Sequence, residues 1–413
     1  MMAPAFLSAL LLFALSACSS SSKTTTPTTT SGGAGATSAT TGATSSATGS
    51  PFVIGFQCSC SGAFASSTAI QENIIKAWVT YENSHGGING HPVKLIFNDD
   101  SLNPSTSLSQ VTTMVQQDHV IAIIDGTDID SAWAKFVSQK GIPVVGDNLA
   151  NSTMYSDADF FPEGQTINTL PASIAAAAKK DGITSLGSVY CSSDPVCAEL
   201  AKPIAQAAQA VGVKAPYAAG IPETAPNYTA QCIDARSHGV NGMFVAESIT
   251  VVEHFVNDCT AQGYKPKYLA EDGAVGKSFL TTPGLDGMLG IENNLPAEDT
   301  SNPAVQTMIS AVDKAYPGLT NSPNWGPAAT GVWASGMLFA AAAKAANLGD
   351  NATPAQVKQG LYALHGETLG GLAPPLTYTP GKPTTVDCWF YLGVHNKQFT
   401  TPYGSQPYCG SSA

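Results

Sequence analysis

The sequence predicts an α/β protein made of two βα lobes, and three observations carry that expectation. First, Gly86 to Gly126 reads as turn, strand, helix and strand. Val93 to Phe97 is a short apolar run that closes on Asn98, Asp99 and Asp100; Pro104 then opens a segment whose Leu108, Val111, Met114 and Val115 fall on one helical face, before a second apolar run at Val120 to Ile124. Second, the same alternation restarts near Ile174 and continues to Ala270. Third, the chain beyond Pro51 is too long for one typical core. A βαβ connection suits a parallel sheet, in which ligands sit beyond the carboxyl ends of the strands. Those ends carry Asp99, Asp100, Asp125 and Thr127. The residues alone lead as far as a secreted α/β protein with a cleft.

The phrase GGINGHPVKL, the acidic strand end, the helix and then VIAIIDG closely resemble the bacterial solute-binding proteins of the branched-chain amino-acid type, which serve ABC importers. The resemblance covers Pro51 to about Cys409. It implies two Rossmann-like lobes joined by a three-segment hinge, the type 1 periplasmic binding protein fold. It also implies a monomer that holds a small polar solute, amino-acid-like or related, and needs no cofactor.

At the N-terminus, Pro4 to Ala17 is mainly apolar and too short to span a bilayer, which takes about 20 helical residues, so it is expected to be a signal peptide. Leu15, Ser16, Ala17 and Cys18 look like a lipobox, in which the Cys18 thiol takes a diacylglycerol. The alternative is an ordinary secretory signal with a chance cysteine. No Lys or Arg precedes the apolar stretch, a departure that a misplaced start site would explain. Residues 19–50 are almost wholly Ser, Thr, Gly and Ala, too poor in apolar surface to offset the entropy of ordering. Such a coil is expected to tether the folded part roughly 30 Å from the membrane.

The net charge of −12 argues against nucleic acid or an anionic membrane surface as partner. Phe52 to Phe56 is the first expected strand, and a helix follows with Ile70, Ile74, Ile75, Trp78 and Tyr81 inward. Between them, Ser61, Gly62 and Phe64 match the Ser-Gly loop and aromatic that line the cleft in the resembling family, although Phe64 is equally read as core. A helix around Ala132 to Gln139, a strand at Ile142 to Val145 and the loop after it repeat the rhythm. In amino-acid-binding relatives, hydroxyls from these two loops hold the ligand carboxylate. Here the corresponding places hold Asp128 and Asn148 to Ala150. A carboxylate beside Asp128 would be repelled by several kcal/mol at about 4 Å and an effective dielectric of about 20, so a cationic or hydroxyl-rich ligand is favoured. Thr127, Ser131 or Asn148 substitutes if the register slips. The plainer alternative makes Asp125, Asp128 and Asp130 acids that answer a helix macrodipole.

Phe160 to Thr169 reads as the first crossing, Asp286 to Asn294 as the return, and Leu376 to Lys382 as a third crossing before a closing strand at Val386 to Val394. Lobe 1 is expected over 51–165 and 296–375, and lobe 2 over 166–295 and 376–413. The strand ends of lobe 2 offer Tyr190, Ser192 and Ser193, then Glu247 and Ser248, then Glu271 and Asp272. Asp272 stands before Gly273 where relatives present an acid to the ligand ammonium; the alternative is a turn aspartate. Gly276, Lys277 and Ser278 fail as a phosphate loop because its first glycine would fall on Glu271. Trp325 precedes the long small-residue helix to Ala346, where relatives bring an aromatic to the cleft mouth; it is also read as structural.

Eight of the nine cysteines lie beyond Cys18, which fits an oxidising compartment. Eight thiols leave many pairings open, and the expected elements narrow them. Cys191 and Cys197 bracket a strand-helix loop, Cys232 and Cys259 lie on successive helices, and Cys388 and Cys409 tie the tail. Cys58 and Cys60 remain, a tight loop for a disulfide. A metal site is disfavoured, since no CxxC pair or Cys/His cluster appears. No nucleophile elbow, zinc-protease motif, phosphate loop or dinucleotide fingerprint is present, so an enzyme is not expected. The expected protein is an extracytoplasmic receptor, lipid-anchored to the cell membrane and recognised by an ABC permease when closed on its solute. Its expected contacts are Ser61, Phe64, Thr127, Asp128 and Asn148 from one lobe, Tyr190, Glu247 and Asp272 from the other, and Trp325 at the mouth. The alternatives are a ligand sensor of the same fold and a secreted hydrolase.

Overall fold

The computed structural model describes residues 47–147, 149–192 and 195–410. The signal segment with Cys18, the tether up to residue 46, Asn148 and Ser193 lie outside the described residues.

The first sheet grows from short βα steps. β1 (Phe52–Cys58) leads through α1 (Ala65–Thr68) and α2 (Gln71–Ser84) to β2 (Val93–Asp99), and α3 (Pro104–Gln116) leads to β3 (Ile123–Gly126). Asn103 starts α3 by accepting from the Thr106 amide, with Pro104 in the first turn. After one 3-10 turn come α4 (Ala134–Lys140), β4 (Val144–Asp147), α5 (Thr153–Ser156) and β5 (Phe160–Phe161). Gly141 ends α4 at φ 68°, a conformation glycine adopts without penalty. All pairings in this sheet are parallel, in the order β2-β1-β3-β4-β5. β4 runs two residues later than the apolar pattern predicts, because its pairing with β3 continues to Asp125 opposite Asp147.

The second sheet starts after the chain leaves β5. Its elements are α6 (Leu170–Lys180), β6 (Ser185–Cys191), α7 (Pro195–Ala210), β7 (Lys214–Ile221), α8 (Thr229–Ser237), β8 (Gly242–Ala246), α9 (Ile249–Ala261), β9 (Lys267–Glu271) and β10 (Leu289–Glu292). Three helices then return to the first sheet: α10 (Pro303–Ala315), α11 (Ala329–Ala345) and α12 (Pro354–Tyr362). Thr353 and Gln356 form a reciprocal capping box at the start of α12. Two short strands that no alternation announced, β11 (His365–Glu367) and β12 (Leu376–Thr377), pair with each other. Finally β13 (Cys388–His395) adds antiparallel to β10, followed by β14 (Gln398–Thr400) and β15 (Tyr408–Cys409). The second sheet runs β14-β13-β10-β9-β8-β6-β7, parallel from β10 to β7.

The cores explain why the chain crosses where it does. α2, α10, α11 and α12 share one hydrophobic cluster with the first sheet, including Phe52, Trp78, Trp333 and Phe339. On α11, Ala, Gly and Ser let neighbours approach: a Cβ on Gly336 would sit 2.4 Å from the Trp78 ring. The second sheet has a cluster on each face, one with α8 and α9 around Tyr228 and Phe255, the other with α6 and α7 around Ile174 and Trp389. The three crossing segments are bonded to each other. The Thr166 amide donates to Val386 O at 3.1 Å, Gln165 to Asn293 O at 3.3 Å, and Leu295 to Leu372 O at 2.8 Å.

Four disulfides join Cys58 to Cys60, Cys191 to Cys197, Cys232 to Cys259 and Cys388 to Cys409. The last residues of the expected tether belong to the fold. Thr48 and Gly49 donate to Gly90 O, and Ser50 donates to the Asp350 carboxylate, so backbone pairing overrides the composition there. Among the described residues no helix is long and apolar enough to cross a membrane.

Candidate functional site

In both sheets the strand order reverses beside the first strand of the unit, between β1 and β3 and between β6 and β8. Crevices in parallel sheets open at such points, beyond the carboxyl ends. A cavity of about 180 Å³ lies where the two sets of strand ends meet. Phe64, Ser67, Gln71 and Asp128 line it from the first sheet's side, and Glu247, Ser248, Glu271 and Asp272 from the second's. Gln165 and Asn293 reach it from two of the crossing segments. Leu149, Ile167, Leu170 and Leu200 supply apolar walls, and the Cys191–Cys197 disulfide borders one side.

A buried aspartate organises the first sheet's rim. Asp100, 1% exposed, accepts from Gln57 Nε2 at 3.1 Å, from the hydroxyls of Ser59 and Ser107 at 2.8 Å each, from Thr127 Oγ1, and from the Leu102 amide at 3.0 Å. These groups come from β1, the loop after it, the loop after β2, α3 and the loop after β3. Ser59 Oγ in turn accepts from the Asp128 amide at 3.2 Å, which carries the constraint to a cavity residue.

Of the residues singled out from the sequence, Phe64, Asp128, Glu247 and Asp272 come together in the cavity. Four others lie elsewhere. Thr127 turns its hydroxyl to Asp100, and Ser61 bonds Ser101 on the rim at 2.7 Å. Tyr190 packs against the α6–α7 side of the second sheet, and Trp325 is buried in the first core. Sequence reasoning passed over Ser67, Gln71, Gln165 and Asn293 as contacts; the last two lie on crossing segments, where no periodic pattern marks a site. Glu271 had a visible signal, its place beside Asp272 at a strand end.

The rims touch on both sides of the cavity. The Ile249 amide donates to Ser67 Oγ at 3.3 Å on one side. On the other, the Lys277 amide donates to Trp325 O at 2.7 Å, Ser278 N to Pro323 O at 3.0 Å, and Lys277 Nζ to Thr320 O at 3.0 Å. Gly326 lies so close to the facing segment that a Cβ there would fall 2.0 Å from Val275 O.

Burial and mutual repulsion raise the acids of this region. Burial, then Glu223, pushes Glu247 up to about 8; burial, then Asp272 and Asp128, pushes Glu271 up to about 7. Burial raises Asp272 to about 6 and Glu298 to about 8. Glu292 lies well above the usual carboxylate range because it is buried against Asp272. The folded protein therefore holds protons that the unfolded chain releases near pH 4. The associated stability is fully present below the unfolded values and is lost as pH rises through the folded ones. The thermal midpoint of the ligand-free protein is expected to fall between about pH 6 and pH 8. A midpoint that climbs over that window would show these carboxyls to be stabilised in their ionised form.

A cavity between the switch points of two sheets, walled by apolar side chains and edged with polar tips from both, defines a two-lobed binding protein. The chain belongs to the periplasmic binding protein family, whose model matches residues 51–397. This is a family of extracytoplasmic solute-binding proteins rather than enzymes. No curated protein matches the chain by sequence. Solved structures share the fold. A branched chain amino acid ABC transporter protein from Thermus thermophilus with bound valine is 13% identical with a TM-score of 0.77, covering 88% of this chain and 97% of its own. An ABC transporter solute binding protein from R. palustris in complex with benzoate is 15% identical with a TM-score of 0.72, covering 88% and 98%. A leucine binding protein from Thermotoga maritima is 13% identical with a TM-score of 0.68, covering 84% and 97%.

Proposed function

We propose that this protein is the solute-binding component of an ABC importer. It captures a small polar solute, amino-acid-like or related, between two lobes that close about the crossing segments, and its closed form is recognised by a membrane permease. The observation that carries this reading is the mixed lining of the cavity: a solute bound there touches strand ends of both sheets, so it favours the closed arrangement over an open one. Phe64, Asp128, Glu247 and Asp272 are the proposed contacts, joined by Ser67, Gln71, Gln165, Glu271 and Asn293. Similar proteins with bound valine or benzoate support an importer role. In the same reading the lobes are 51–165 with 296–375 and 166–295 with 376–413, and a lipid on Cys18 holds the monomer at the membrane. Recovery of a Cys18→Ser chain in the membrane fraction would remove that anchor.

Small-angle scattering tests the closure. A solute that raises the thermal midpoint is expected to shrink the radius of gyration, since binding selects the closed state. Saturating solute with no change in radius would count against a hinged receptor.

A further inference from the structure

We propose that the cavity takes an organic cation, an amine or amidinium on a compact hydrocarbon body that carries no carboxylate. This rests on the reading of the cavity as the solute site and narrows it to one ligand chemistry.

The first observation is the direction of the unmet hydrogen bonding. Glu247, 5% exposed, leaves Oε1 without a partner while Oε2 accepts from the Ser248 amide at 3.3 Å. Gln165, 1% exposed, likewise leaves Oε1 unpartnered. The orientation of that amide is set by its neighbour: Ser173 Oγ donates to Leu170 O and so accepts from Gln165 Nε2 at 2.9 Å. Both residues line the cavity; Gln165 Oε1 is an acceptor and Glu247 Oε1 becomes one once its carboxyl ionises, so the partner that satisfies both is a cationic donor that draws the proton off Glu247.

Charge is the second observation. Asp128, Glu247, Glu271 and Asp272 all line the cavity, and none of the described lining residues is Lys, Arg or His. A ligand carboxylate would enter as a further anion with no cation to meet it, whereas an ammonium offsets the desolvation of carboxyls already buried. An inorganic cation is disfavoured, because no three His, Cys, Asp or Glu among the described residues converge to hold a metal ion. The walls point the same way. Leu149, Ile167, Leu170 and Leu200 suit a hydrocarbon body, and Phe64 adds an aromatic side chain, a group that attracts cations, to the lining.

Matched pairs provide the test. Isopentylamine against leucine, and benzylamine against benzoate, differ in the charged group on one hydrocarbon frame; xylitol serves as a neutral donor-rich control. The amines at millimolar concentration are expected to raise the thermal midpoint, and leucine and benzoate to leave it unchanged. Amine binding requires ionised carboxyls and expels their protons. Its affinity by calorimetry is therefore expected to rise about tenfold or more from pH 6 to pH 8. The charged and polar groups that face these carboxyls are Glu223, Glu271 and Tyr228 beside Glu247, Asp128 and Asp272 beside Glu271, Glu292 beside Asp272, and Lys277 with Asp272 beside Glu298. Glu247→Gln is expected to lose about tenfold or more in amine affinity and to flatten the pH profile, with a urea midpoint at or above wild type.

The outcomes separate the two readings. Leucine, benzoate or xylitol binding where neither amine does would overturn the cation and leave the cavity as the solute site. Amine affinity that falls from pH 6 to pH 8 would also overturn it. An amine bound equally by wild type and Glu247→Gln would overturn Glu247 as its partner and with it the cation assignment, and silence of all five compounds would overturn the cation while leaving the cavity as the solute site.

Discussion

Gly326→Val is expected to lower solute affinity about ten- to a hundredfold while leaving the urea midpoint of the ligand-free protein close to wild type. Gly326 stands just before α11, on the part of the chain that packs with the first sheet, and faces Val275 on the part that packs with the second. A Cβ would sit 2.0 Å from Val275 O, and the obstacle is backbone rather than a flexible side-chain end. In an open arrangement that oxygen moves away and the added methyls meet solvent. The clash therefore raises the free energy of the closed state alone, by about 1–3 kcal/mol, the usual range for overpacking. That loss passes directly into apparent affinity, because only the closed form completes the solute's contacts. Calorimetry with a solute that raises the wild-type midpoint, set beside urea titration of the empty protein, separates this from misfolding. Unchanged affinity would mean that the rims need not meet when solute binds.

Asp100→Ala is expected to destabilise the protein by about 3 kcal/mol or more. Four side-chain donors and one amide converge on this carboxylate, and most of them have little access to water. Alanine leaves those groups without their acceptor, and an unsatisfied buried donor costs about 1–3 kcal/mol. Rearrangement recovers part, since Ser59 and Thr127 already lie 2.8 Å apart. A drop of under about 1 kcal/mol in urea titration would show that the network is satisfied in another way. Because Ser59 also holds the Asp128 amide, the variant is expected to weaken solute binding through position rather than contact.

Much of the fold is legible because its signals are local. Apolar alternation and helical spacing mark β2, α3 and β3; Pro104 and Asn103 mark a helix start; the restart after Leu170 marks the second sheet. Cysteine pairing follows once neighbouring elements are known. The candidate site is legible in half. A polar residue at the end of a parallel strand can be found from sequence, but not the direction its side chain takes. Asp128 and Thr127 are neighbours in one loop, yet the threonine turns inward to Asp100 while the aspartate faces the cavity. Tyr190 likewise leaves the strand end on the side of the α6–α7 core. Gln165 and Asn293 escaped notice for a different reason. Their place in the cavity comes from the pairing of crossing segments more than a hundred residues apart, which leaves no periodic trace.

The most direct measurement is a crystal structure of the protein with a solute that raises its thermal midpoint. Solute density bounded by Phe64 and Asp128 on one side and by Glu247 and Asp272 on the other is the expected result. Density in the separate groove between α2 and α10, beside Tyr81, His85 and Lys314, with the space between the two sheets occupied by water alone, would contradict binding in the cleft.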